Sequence, residues 1–323
     1  MVVRVLSLRA HVVSLVAVFL ALALGVLVGT TALNGPVLDD LEDRVRALSG
    51  DKAALEGRLA AAREQTQAQE QATASLSPVV TAGRLTGQRV VVLSTPDAPG
   101  RLREELLPVL RAAGARVTGS VRLRPALLDQ ANRQQLDDLV AQVAVPGADL
   151  PEGEPLDRAV AQLAQVLVSS AAAPDADVTG RVLGAYAGQG LVDVEGDVAP
   201  ATLAVLLTGD TRADVAEQDG EARDRALLGL VRGLDLGSSG AVVAGLPGSA
   251  GEDGLLGALR ADGAMTDRVS SVDAADTPTG RLAVVLALQE QRGGGSGAYG
   301  YGPGSDAALP AVAAAPARRP AGA

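Results

Sequence analysis

The chain has 323 residues, enough for one large domain or two ordinary ones, and 47% of it is apolar, so a sizeable core is possible. Cysteine is absent, lysine and histidine occur once each as Lys52 and His11, and the aromatic residues are Phe19, Tyr186, Tyr299 and Tyr301. These counts exclude disulfides, thiolate metal sites and phosphate-loop lysines, remove nearly all histidine bases, and leave little surface for stacking flat cofactors. The formal charge of −10 argues against a nucleic-acid partner.

Between Ala10 and Leu38 there is no Asp, Glu, Lys or Arg. Positions 12–33, 22 residues, make a helix of about 33 Å, close to a hydrocarbon core of about 30 Å. The run exceeds the ~7–15 residues usual for the apolar part of a cleaved leader, so it reads as a retained anchor, although Thr30-Thr31-Ala32 offers a weak cleavage site. Arg4 and Arg9 precede it, and Asp39, Asp40, Glu42 and Asp43 follow. The positive flank predicts a cytoplasmic N-terminus and an extracytoplasmic remainder, with 1–36 as stub and anchor.

After a break at Asn34-Gly35-Pro36, residues Leu38, Leu41, Val45, Leu48, Lys52, Leu55, Leu59 and Ala62 recur at alternating spacings of three and four. This heptad pattern predicts a coiled-coil stalk over 37–78, ended at Ser77-Pro78 because proline disfavours helix in the residue before it. The candidate oligomerisation residues are Leu41, Val45, Leu48, Lys52, Leu55 and Leu59, and the expected assembly is a parallel homo-oligomer. A lone cation such as Lys52 on the seam fixes register at some cost in stability. The alternative is a single amphipathic helix lying on its own globular domain.

Residues 79–292 read as an α/β domain with a mostly parallel sheet and helices on both faces. A strand near Val90–Leu93, a turn-rich loop, a helix ending at Gly114 and a strand near Val117 recur in layout over 240–272, with Leu110–Ala115 matching Leu259–Ala264. Between these units lie helices near 132–143, 156–170 and 221–234 and a strand at 201–209; a further helix follows at 280–291. Residues 293–323, rich in Gly and then in Ala and Pro, are expected to be disordered.

Candidate chemistry is sparse. The loop Ser94–Gly100 sits where α/β sheets bind ligands, but it lacks the GxGxxG and GxxxxGK[ST] spacings and reads better as a helix-capping turn; the loop Leu246–Gly251 reads likewise. Asp193, Glu195 and Asp197 alternate, so an extended chain places them on one side, where either a hard cation or, more simply, water meets them. His11 stands at the membrane boundary without a Cys or Met cluster. No catalytic or cofactor-binding residue is identified, and the chain is not expected to be an enzyme.

The run from Arg9 through Gly25, the acidic leucine-spaced helix after it and the late segment Gly295–Gly300 before an Ala/Pro-rich end together resemble the mycobacterial copper transport protein B family. The resemblance covers Ser7 to about Pro310 and implies copper transport and homeostasis in the cell envelope, in some descriptions as an outer-membrane pore. The residues support a single-pass cell-membrane protein more readily than a barrel, and copper ligation through partner proteins more readily than by this chain. An envelope interaction module without a metal role is the alternative.

Overall fold

The computed structural model describes residues 8–145, 147, 150–170, 176–210 and 217–311, in two compact units, Met1–Ala68 and Gln69–Ala323. The described residues of the first unit belong to helix α1 (Leu8–Thr81). Its stretch Leu8–Gly29, of mean hydropathy 2.8, is long and apolar enough to cross a membrane, and its side chains from Val12 to Val28 are exposed. The helix continues through the expected break at Asn34-Gly35-Pro36. Proline deletes one helical hydrogen bond without forbidding helix on either side of it.

In the second unit α1 also passes Pro78 to reach Thr81, whose buried hydroxyl donates to the Ser77 carbonyl at 2.8 Å. Ser77 and Thr81 on either side of Pro78 are buried, so tertiary burial outweighs the local bias here. The helix stops at Gly83, whose φ of 73° lies in the left-handed region that suits a helix end.

The chain then runs through β1 (Arg89–Ser94), α2 (Gly100–Ala112), β2 (Arg116–Leu123), α3 (Pro125–Leu128), α4 (Arg133–Gln142), α5 (Pro155–Leu167) and α6 (Ala176–Gly188). It continues with β3 (Val192–Glu195), β4 (Leu203–Thr208), α7 (Glu217–Gly237), β5 (Ala241–Gly245), α8 (Leu255–Ala261), α9 (Gly263–Thr266), β6 (Ser270–Val272), α10 (Pro278–Arg292) and β7 (Ala298–Tyr299). The strands form one sheet in the order β3-β2-β1-β4-β5-β6-β7, parallel except where β3 pairs antiparallel with β2. Strands β4 and β5 are buried at every residue, as expected for strands covered on both faces.

Alternation along the strands divides the core. Val91, Leu93, Ala204, Leu206 and Val243 pack with residues of α4, α5, α6, α7 and α8, whereas Val90, Val92, Leu203, Val205 and Val242 pack with α2 and α10. The two related units are therefore β1-α2-β2 and β5-α8-β6, each with adjacent parallel strands and with their helices on opposite faces. That placement follows from crossovers of one hand running outward in opposite directions from the middle of the sheet.

The Gly-rich segment after α10 corrects the expectation of disorder, as far as the described residues extend. Ala298 and Tyr299 pair with Ser271 and Val272, so the segment supplies the last strand of the sheet. Asp273, wholly buried, accepts hydrogen bonds from Tyr301 N at 2.8 Å, Gly302 N at 2.9 Å and Arg260 Nη1 at 2.9 Å. Arg260 also donates to the carbonyls of Tyr299 at 3.1 Å and Pro303 at 2.8 Å. Polar bonds to a buried ion pair hold this segment, which a rule based on apolar content does not register. Residues 312–323 of the expected tail lie outside the described residues.

Candidate functional site

Strand order reverses at β1, since β2 and β3 lie to one side and β4 to β7 to the other. The crevice at the carboxyl ends of β1 and β4 is the usual ligand position in such sheets. Here the chain itself closes its centre. Thr95 N donates to Leu207 O at 2.9 Å, extending the β1–β4 ladder, and Asp97 Oδ2 accepts from Gly209 N at 3.1 Å. A Cβ at Gly209 would stand 2.2 Å from the Asp97 carbonyl oxygen, so only glycine permits this approach. Asp97 also forms an ion pair with Arg223 of α7. The expected turn forms, with Ala98 N donating to Thr95 O at 3.1 Å, but it does not cap α2 through a side chain: the N-cap is Pro99, and Asp97 reaches across to β4 and α7 instead.

The second loop is closed similarly. Asp210 Oδ1 accepts from Gly248 N at 2.9 Å, and the buried Ser249 hydroxyl donates to Leu246 O at 2.6 Å. What remains open is a cavity of about 410 Å³ lined by Pro96, Asp97, Pro125, Leu128, Gln130 and Arg223. A second cavity of about 240 Å³ includes Arg133, Glu154, Asp157 and Arg225. Burial holds the Asp157 carboxyl above its ordinary range, with Arg225 opposing and Glu154 adding to the shift. Both cavities mix the two signs, Asp97 and Asp129 with Arg223 in the first and Asp129, Glu154 and Asp157 with Arg133 and Arg225 in the second, so each acid has basic company among the lining residues.

The acidic trio is not gathered for a cation. Asp193 accepts from Arg124 Nη1 through both oxygens, at 3.0 and 3.1 Å, and Glu195 is paired with Arg103. His11 is exposed on α1, and Met265, 6% exposed, belongs to the apolar core. Among the described residues no group of three or more His, Cys, Asp or Glu side chains comes together. The Tyr299 phenol donates to Glu290, and burial, that bond and the nearby Glu290 and Asp306 charges push its pKa far above the ordinary range.

The residues expected to form a seam on α1 are exposed: Leu41 and Val45 are 56% exposed, Leu48 71%, Leu55 63% and Leu59 50%. Lys52 Nζ lies 3.7 Å from Glu56 Oε1, one turn along. Sequence reading missed the two polar junctions of the domain, Arg260–Asp273 and Asp97–Arg223. The partners of the second lie far apart in sequence, and only the sheet order brings them together.

A family model described as copper transport outer membrane protein, MctB, matches residues 5–310. "Copper transporter MctB" of Mycobacterium tuberculosis (strain ATCC 25618 / H37Rv) is 30% identical over 311 residues, covering 93% of this chain and 98% of the relative. The protein of the same name from Mycobacterium leprae (strain TN) is 28% identical over 313 residues with the same coverage. Both matches thus take in the long helix α1 and the sheet domain.

Proposed function

Since the chain belongs to the copper transport outer membrane protein family, we propose that it is a non-catalytic, membrane-anchored component of copper export and homeostasis that works through other chains. The observation that carries this reading is the near full-length match to relatives named copper transporters. Arg4 and Arg9 before the span and four acids after it favour a cytoplasmic N-terminus and an extracytoplasmic domain in the cell membrane. Among the described residues the longest strand has 8 residues, whereas a strand crossing a bilayer needs ~9–11, which favours the helix as the membrane element. Cu(I) prefers thiolate, thioether and imidazole ligands, and the chain offers only Met1, His11 and Met265, so ligands from a partner complete any copper path. The exposed seam of α1 is the surface through which assembly is proposed.

Copper content of a strain lacking the chain tests the role. Raised intracellular copper, restored to normal by the intact chain, is the expected result; unchanged copper and unchanged copper tolerance would leave an envelope interaction module as the better reading.

A further inference from the structure

The seam of α1 carries a second pattern, in the residues that flank it. With Val45, Lys52 and Leu59 at the a positions and Leu41, Leu48 and Leu55 at d, the g positions are Arg44, Asp51 and Arg58 and the e positions are Ser49, Glu56 and Arg63. In a parallel pair each g residue faces the e residue five positions later on the other helix. Two copies of this chain would therefore set Asp51 against Glu56 and, one heptad on, Arg58 against Arg63, each twice by symmetry. Lys52 within the seam offsets part of the acidic layer. Among the e and g positions, nothing does the same for the layer of four arginines.

The apolar seam alone favours self-pairing, and its flanks oppose it. We infer that the stalk pairs in parallel with a different chain, whose heptads place basic residues opposite Asp51 and Glu56 and acidic residues opposite Arg58 and Arg63. The sharp change of sign between successive heptads also selects register: a partner shifted by one heptad in either direction brings one of the two layers against like charge. Flanking charges of this kind set partner choice and orientation in coiled coils. The proposal rests on the seam being the assembly surface, and it names the chemistry of the partner that the proposed function requires.

The test exploits the absence of cysteine, which makes an introduced thiol unique. The full chain carrying Leu48→Cys, held in lipid nanodiscs, is equilibrated in a thiol redox buffer with one of two synthetic peptides of residues 38–65, both carrying the same substitution. One peptide has the natural flanks; the other has Asp51→Lys, Glu56→Lys, Arg58→Glu and Arg63→Glu and so presents the complementary pattern. The expected result is mixed disulfide favoured by about tenfold or more for the complementary peptide, falling towards parity at high salt. Equal or greater yield with the natural peptide would overturn charge selection while leaving the seam in place. Disulfide with neither peptide would remove the seam itself. Neither failure bears on the copper content of the deletion strain, which tests the functional role separately.

Discussion

Asp273 and Arg260 are almost sealed from water, with side chains 0% and 5% exposed, so each depends on the other and on the backbone of residues 299–303 for the bonds that solvent would supply. Asp273→Ala leaves Arg260 as a buried charge without its carboxylate and strips two amides of their acceptor; the expected cost is ~3–5 kcal/mol. Chemical denaturation measures that loss, and limited proteolysis should show new cutting within Gly300–Ser305. Thr95 shows the opposite case. Its hydroxyl is buried without a hydrogen-bond partner, so Thr95→Val, similar in shape, should stabilise the domain by ~1 kcal/mol, read as a raised Tm. Tyr299 gives a pH signature: its raised pKa means the unfolded chain ionises first, so stability should hold below pH ~10 and fall progressively above it, less steeply in Tyr299→Phe.

At the scale of elements, the contact between α5 and α7 depends on residues too small to hold the helices apart. A Cβ at Gly233 would come within 2.8 Å of Ala164 Cβ, and one at Gly237 within 2.9 Å of Val168 Cγ2. Gly233→Val should force these helices apart and cost ~1–3 kcal/mol, visible as a lower denaturation midpoint. Most elements of the domain were legible as patterns: the apolar run at β4, the amphipathic repeats at α2, α5 and α7, and the matched layout of the two strand-helix-strand units. The second unit departs at Asp262, which caps the extra turn α9 by accepting from Ala264 N and Met265 N before β6 begins. Its matching position in the first unit, Ala113, has no such side chain and leads through Gly114 at φ 90° straight into β2.

At the scale of the whole molecule, ligand counts and family membership make different demands, and partner ligation satisfies both. The full chain is expected to lose Cu(I) to a competing chelator during titration, because soft ligands number too few and stand too far apart in sequence to surround an ion. Stoichiometric retention of Cu(I) against the chelator would overturn that argument. Orientation is checked by protease treatment of spheroplasts. Degradation of the sheet domain is the expected outcome, and its protection would reverse the assignment drawn from Arg4, Arg9 and the acids after the span.

The sequence by itself determined those features that a single stretch of chain expresses. A run without charges makes an apolar helix wherever it lies, a leucine repeat lines one side of a helix with apolar side chains, and the absence of cysteine excludes thiolate chemistry in any fold. Tertiary structure alone decided where distant segments meet. The reversal of strand order at β1 brings Asp97 to Arg223 and lets Gly209 approach the Asp97 carbonyl, closing a crevice that the loop's position had suggested for a ligand. The buried Asp273–Arg260 pair likewise turns a glycine-rich stretch, disordered by composition, into the seventh strand and its anchored loop. In each case polar groups from separate segments meet and bond once the sheet has brought those segments together. Those bonds gain their strength from burial, and burial depends on the sheet having first put its layers together.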